Sequence, residues 1–416
     1  MSFHASMAQE GPDSPPLPSH FSPDREVHVV ISTHSGKHEA ELFYSNTLHG
    51  YLIDHVPHLE FRKNYFVHRT TSRTSLSELT SKLFLFNTKK GVKNTIILLS
   101  GDGGMVDIVN TMTTTLQREV DDNRPPSIFF KPIIVLFPLG TANALCHSAG
   151  IVAKDPLEVM MTGRTRPLPQ FEVRFSRAAR LVSDEGRKRL EFDEPGFPEE
   201  GKEASGELGY YDRDGNVRIY GCVVFSWGLH ASLVALSDTE EMRKRGVGRF
   251  RVAAARLLED GHSYIGTVKY KTERGGEWQI LHHKPAGMSG FVSKKKHKYV
   301  LATMVSNLEE TFCISPRTEP LDGTLRLVAI GNQPSDIVMN VLTLAYQQGK
   351  HVEETKDLVT YHEIDSLRIE FDETDEEWRQ VCVDGKIVAI EEGGWVEVRK
   401  MPTSGVNGRR VVELVC

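Results

Sequence analysis

From Glu26 to about Gly163, short apolar runs alternate with amphipathic stretches of helical period. Residues 27–32, 61–68, 95–100 (TIILLS) and 132–138 (PIIVLFP) read as strands. Residues 35–48, 75–86, 106–116 and 142–149 read as helices between and after them. The TIILLS run is apolar on both faces, as a buried parallel strand requires. Strand–helix repetition of this kind predicts a parallel sheet covered on both sides. Beyond Gly163 the period changes. Short strands are expected at 170–176, 217–225, 264–271, 299–306, 324–330, 366–371 and 378–383, with helices only at 249–259 and 335–347. That pattern predicts an antiparallel β-sandwich with a few covering helices.

The expected fold class is therefore α/β plus β. A Rossmann-like parallel α/β domain is expected over 25–163, and an antiparallel β-sandwich domain over 164–416. Pro15, Pro16, Pro18 and Pro23 mark residues 1–24 as a disordered tail, and the Glu-, Asp-, Gly- and Pro-rich stretch 181–214 as a disordered insertion. A loop over 272–298 ends in Lys294, Lys295, Lys296 and Lys298, which read as a solvated run with membrane attraction as a secondary use.

Charge and cysteine content narrow the function classes. Fifty Lys and Arg face 56 Asp and Glu, a net charge of −6, the wrong sign for a nucleic-acid partner. No apolar run approaches the ~20 residues needed to cross a bilayer. Five cysteines without a C-x-x-C pair point to a reducing compartment, so a cytoplasmic protein is expected.

Candidate chemistry begins at Ser100-Gly101-Asp102-Gly103-Gly104, directly after TIILLS. The carboxyl ends of parallel strands form the ligand crevice of such sheets. Glycines there let the backbone approach a phosphate, and N–H groups supply an anion cradle. An aspartate in that turn suits work on a proton or on Mg²⁺. A second turn, Pro138-Leu139-Gly140-Thr141-Ala142-Asn143, follows PIIVLFP. Two such turns indicate a nucleotide phosphate site. Neither matches Walker A or G-x-G-x-x-G.

With these residues in hand, the chain resembles the diacylglycerol kinase catalytic-domain superfamily, most closely its sphingoid long-chain-base (sphingosine) kinase branch. The resemblance rests on SGDGGMVDIVN at 100–110, on PLGTAN at 138–143, on Ser226-Trp227-Gly228, Gly248-Arg249-Phe250, Ser315-Pro316 with Asp322-Gly323-Thr324-Leu325, and Val383-Asp384-Gly385. It covers roughly residues 26–398 and implies the fold shared with NAD kinase. It also implies an ATP- and Mg²⁺-dependent lipid kinase, with a sphingoid base as favoured acceptor and diacylglycerol or another neutral lipid alcohol as alternative. Asp102 would be the general base. Nucleotide contacts would come from Ser35, Gly36, Thr70, Ser100, Gly101, Gly103, Gly104, Gly140, Thr141, Asn143, Arg249, Asp384 and Gly385. Trp227, Leu229 and Leu233 would contact lipid, and no metal ligand set is assigned. Peripheral membrane association is implied, and a homodimer stays open.

The chain departs from the family pattern at four places. Ser32-Thr33 replaces an Asn-Pro, Asp107 replaces a Glu, Lys386 replaces a Glu, and Ala231–Val234 lacks the acids that hold a cationic head group. These departures leave a catalytically weakened, ligand-binding regulator as the alternative from another class. Plain readings stand beside each role: Asp102 as a turn or cap residue, Arg249 as a solvated helix start, Trp227 as core, and the His34/His38 and His55/His58 pairs as surface histidines.

Overall fold

The computed structural model describes residues 16–124, 128–192, 209–245, 248–283, 295–402, 404–406 and 411–416. Its first layer is a six-stranded sheet in the order Tyr65–Arg69, Arg25–Ile31, Lys93–Ser100, Ile133–Pro138, Glu413–Val415, Thr165–Pro167. The first five strands pair in parallel, and the last is antiparallel. Residues 96–99 are fully buried, because helices cover both faces. Met105, Val106, Ile108, Val109 and Met112 form the apolar stripe of the helix Asp102–Asp121, also fully buried. The second layer is a fifteen-stranded sheet, antiparallel throughout, that curls into the expected sandwich.

Four expectations are corrected. The tail is packed from residue 16 onward: Phe21 is fully buried, and His20 meets the Met160 carbonyl at 2.6 Å. Residues 1–15 lie outside the described residues. Part of the expected insertion is ordered, as the strands Arg180–Ser183, Lys188–Leu190 and Tyr210–Tyr211, while 193–208 lie outside the described residues. The division at residue 163 does not hold, since Thr165–Pro167 and Glu413–Val415 both belong to the first sheet. Within the lysine run, Lys298 is buried and its Nζ donates to the Gly261 and His262 carbonyls, and Lys295 pairs with Asp372 at 3.0 Å. Lys294 lies outside the described residues.

The two layers are bolted through the helix Asp102–Asp121. Asn110 Oδ1 accepts the Tyr220 N–H at 2.9 Å, and Thr113 donates to Gln170 at 2.7 Å. Among the described residues no helix is long and apolar enough to cross a membrane.

Candidate active site

Three loops meet at the carboxyl ends of the central strands. After Arg25–Ile31 the chain does not enter a helix at residue 35 as expected. Gly36 adopts φ +52°, and the helix starts only at Ala40. A Cβ on Gly36 would strike the Leu139 carbonyl. A Cβ on Gly101 would lie 2.7 Å from Gly140 Cα, and one on Gly140 would lie 2.8 Å from Asn143 Oδ1. The loops therefore touch backbone to backbone, which only glycine permits at these positions. Ser35 Oγ donates to Ser32 Oγ at 2.8 Å and shares a hydrogen bond with Ser100 Oγ at 3.1 Å.

Asn143 holds the third loop. It sits in the left-handed region at φ 52°, accepts the Gly140 N–H at 2.9 Å, and donates to the Pro138 and Gly140 carbonyls at 3.1 Å. Thr70 is buried and engaged with the first loop, accepting on its carbonyl the Thr33 hydroxyl at 2.7 Å. Ser100 and Gly104 are buried, whereas Gly103 and Thr141 face solvent. A Cβ on Gly103 would meet nothing within 4 Å.

Asp102 opens the helix after the second loop and is half-buried. It reaches across to the third loop: Oδ2 accepts the Ala144 N–H at 2.7 Å and Oδ1 the Leu145 N–H at 3.0 Å. Each oxygen retains a further lone pair. Burial pushes its carboxyl above the usual aspartate range, against the pull of those two N–H groups and of His147.

The charge of Asp102 also reaches Asp384, in the turn after the strand Gln380–Val383. Asp384 occupies that turn at φ 49° and accepts the N–H groups of Cys222, Val223 and Val224 at 2.7, 3.1 and 2.6 Å. Burial raises it to about 7 against those three donors, and the Asp102 charge pushes the same way. Gly385 follows at φ 86° with open space around it. Burial, then Asp384 and Asp102, raise the Cys222 thiol, which stays protonated and is no nucleophile.

The sequence noted Asp107 and Lys386 as separate departures, and the structure joins them. Lys386 Nζ lies 3.4 Å from Asp107 Oδ1. Burial raises Asp107, and Lys386 lowers it. Two exchanged charges thus compensate each other across the layers. The spacing of Asp107 five residues after Asp102 was the available signal; its partner, far along the chain, was not visible.

Not every expected residue gathers here. Arg249 opens the helix Arg249–Asp260 with its guanidinium 4.8 Å from the Phe250 ring. Trp227 is fully buried, donates to the Trp378 carbonyl at 2.9 Å, and meets the rings of Phe371 and Tyr264 edge-on. Zero exposure leaves it no cavity surface, so it packs the sandwich core and does not line a lipid pocket. Leu229 is buried and Leu233 half-buried on the helix Leu229–Ser237. His38 Nδ1 meets the Thr33 carbonyl, and His55 stacks on Tyr51. Among the described residues no cluster of three or more His, Cys, Asp or Glu could hold a metal alone.

The glycine geometry carries a prediction with an internal control. Gly140→Ala is expected to lower the melting temperature by several degrees, since the Asn143 clamp must open, at a cost of ~1–3 kcal/mol. Gly103→Ala is expected to leave melting unchanged yet weaken Mg-ATP binding, measured by calorimetry. Unaltered nucleotide affinity in Gly103→Ala would remove the phosphates from this turn.

Residues 26–173 match the family described as "Diacylglycerol kinase catalytic domain". No curated protein matches the chain in sequence. A putative diacylglycerol kinase from Bacillus anthracis str. Sterne shares the fold at TM-score 0.55 and 12% identity, over 94% of this chain and 97% of that one. A second structure, of a diacylglycerol kinase from the same strain, gives 0.51 and 10% over 94% and 96%. A third, again of a putative diacylglycerol kinase from that strain, gives 0.54 and 12% over 94% and 97%. By residues 26–173 in sequence, and by nearly its whole length in fold, this chain is similar to diacylglycerol kinases.

Proposed function

We propose that this protein is an ATP-dependent lipid kinase that phosphorylates the primary hydroxyl of a lipid alcohol. The observation that carries the reading is the contact of three glycine loops around Asp102, in the segment that matches the catalytic domain. The nucleotide phosphates would lie on residues 35–36, 100–104 and 140–143, with Thr70 and Asn143 fixing the outer loops. Asp102 would take the proton from the acceptor hydroxyl as it attacks the γ-phosphorus. Asp384 and Gly385 would border the phosphates from the second layer.

A magnesium ion fits this residue set only in the manner usual for kinases, on one carboxylate plus phosphate oxygens and water. Asp102 is the residue that would hold it, and the ion would neutralise charge developing on the phosphoryl group. The chain's own part is to orient the acceptor and accept the proton.

For the acceptor, the helix Leu229–Ser237 (LHASLVALS) carries no acid, which favours a neutral lipid such as diacylglycerol over a sphingoid ammonium. The sphingoid base is the second reading, with Asp238 directly after that helix. The acceptor would be drawn from a cytoplasmic membrane face. Incubation with Mg-ATP and diacylglycerol, sphinganine or NAD tests the proposal. Diacylglycerol phosphate is the expected main product. Dominant sphinganine phosphate would reverse the acceptor, and tight ligand binding without any turnover would make the protein a regulator.

A further inference from the structure

A groove of about 460 Å³ opens on the second layer, between the turn at residues 177–179 and the hairpin turn at 212–216. Both walls are fixed. Asp212 accepts the Asp214 and Asn216 N–H groups on Oδ1 at 3.0 and 2.9 Å, and Arg174 and Arg218 on Oδ2 at 3.0 and 2.8 Å. Its charge is thereby spent. Gly215, at φ 77°, leaves room for Arg177 to lie flat over the turn, with Cδ 3.4 Å from where a Cβ would stand. Arg180 is held by the Ala179 carbonyl at 2.9 Å, by Tyr211 Oη at 3.3 Å and by Glu191 at 3.1 Å.

That leaves Arg177 and Arg213, both exposed at the rim, with no acidic partner among the described residues. Both line one hollow, and a pair of guanidinium groups is the side-chain chemistry that holds a phosphate dianion. The volume lies in the range of small-molecule sites and exceeds what a bare phosphate fills. No aliphatic side chain larger than Ala178 lines it, so an acyl chain finds no surface. Glu191 and Asp214 at the edges are acceptors for hydroxyl groups.

We infer that this groove is a second ligand site, selective for a phosphorylated polyol: the phosphate on Arg177 and Arg213, the hydroxyls on Glu191 and Asp214. It is separate from the glycine loops. Gly215 stands in the turn before the strand Val217–Gly221, and Cys222, whose N–H holds Asp384, follows it, so the length of that strand, ~13 Å at 3.3 Å per residue, lies between them. The ligand could be a free polyol phosphate or the head group of an anionic lipid.

Calorimetry on the full chain with inositol phosphate, and co-sedimentation with phosphatidylcholine vesicles with and without phosphatidylinositol phosphate, test it. Saturable binding is expected, weakened at least ~10-fold in Arg177→Ser/Arg213→Ser and unaffected by saturating Mg-ATP. Vesicle binding competed by the free head group assigns the lipid as source; binding of the free compound alone assigns a soluble metabolite. Either result supports the site. Absence of binding in both arms, equal binding by the double variant, or displacement by Mg-ATP overturns it. Inorganic phosphate binding as tightly as inositol phosphate overturns the polyol assignment. The two arginines are exposed and have no acidic partner among the described residues, so the variant is expected to melt with the unmodified protein.

Discussion

Asp102→Asn is expected to lower the rate of lipid phosphorylation at saturating Mg-ATP by ~10²–10⁴-fold, the usual worth of a positioned general base. The amide keeps one acceptor oxygen. Its NH₂, however, must face either the Ala144 or the Leu145 N–H, donor against donor. Some loss of stability is therefore expected too, of ~1–3 kcal/mol. Melting curves and Mg-ATP calorimetry separate that loss from the chemical one. A general base must be ionised to act, and burial holds the Asp102 carboxyl above the ordinary aspartate range. Activity should accordingly fall as pH drops through that raised value, at a higher pH than an exposed aspartate would give. A rate within a few-fold of normal in Asp102→Asn, with nucleotide still bound, would end the general-base role.

Asp384→Ala is expected to have the largest effect on folding. It strands the N–H groups of three consecutive buried residues, Cys222, Val223 and Val224. At ~1–3 kcal/mol for each buried donor left unmade, the loss is several kcal/mol. Asp384→Gly serves as the control. It suits φ 49° better than any other residue and relieves whatever the backbone costs there, yet it leaves the same three donors orphaned. Both variants should unfold at markedly lower urea, and equally so if the hydrogen bonds are the cause. The pH dependence has a definite sign. The folded carboxyl is raised to about 7 from an ordinary 3.8, so the folded state binds the proton more tightly than the unfolded chain. Its contribution is fully present below the unfolded value and is lost as pH rises through about 7. Urea midpoints of the unmodified protein should show that slope, and those of Asp384→Ala should lack it. An Ala variant as stable as the original would refute this account of the turn.

The first sheet and its glycine turns were legible because local pattern decides them. TIILLS and PIIVLFP are apolar on both faces, and each runs into a glycine that later meets the other. The helix after Gly101 was read four residues late, since Asp102 to Met105 (DGGM) looks like loop until Asp102 is seen to open the helix. What stayed hidden was long-range. Phe21 sits among prolines and reads as tail, yet it fills a place in the core that only the folded sheet defines. Residues 413–415 are too short to announce a partner, and their neighbours Ile133–Ile134 lie far back along the chain. Trp227 beside a glycine suited a binding residue or a core residue equally, and only its complete enclosure separates the two.

That returning strand bears on how the protein is made. Glu413–Val415 takes its place between Ile133–Pro138 and Thr165–Pro167. A ribosome must therefore translate more than 400 residues before the first sheet can close. Until then Ile133–Pro138 exposes an open, apolar edge to the nascent chain's surroundings, a template for wrong pairing. Truncation after the sandwich would leave that edge open for good, so the lobe that matches the catalytic family cannot be cut out at residue 163 and keep its sheet whole.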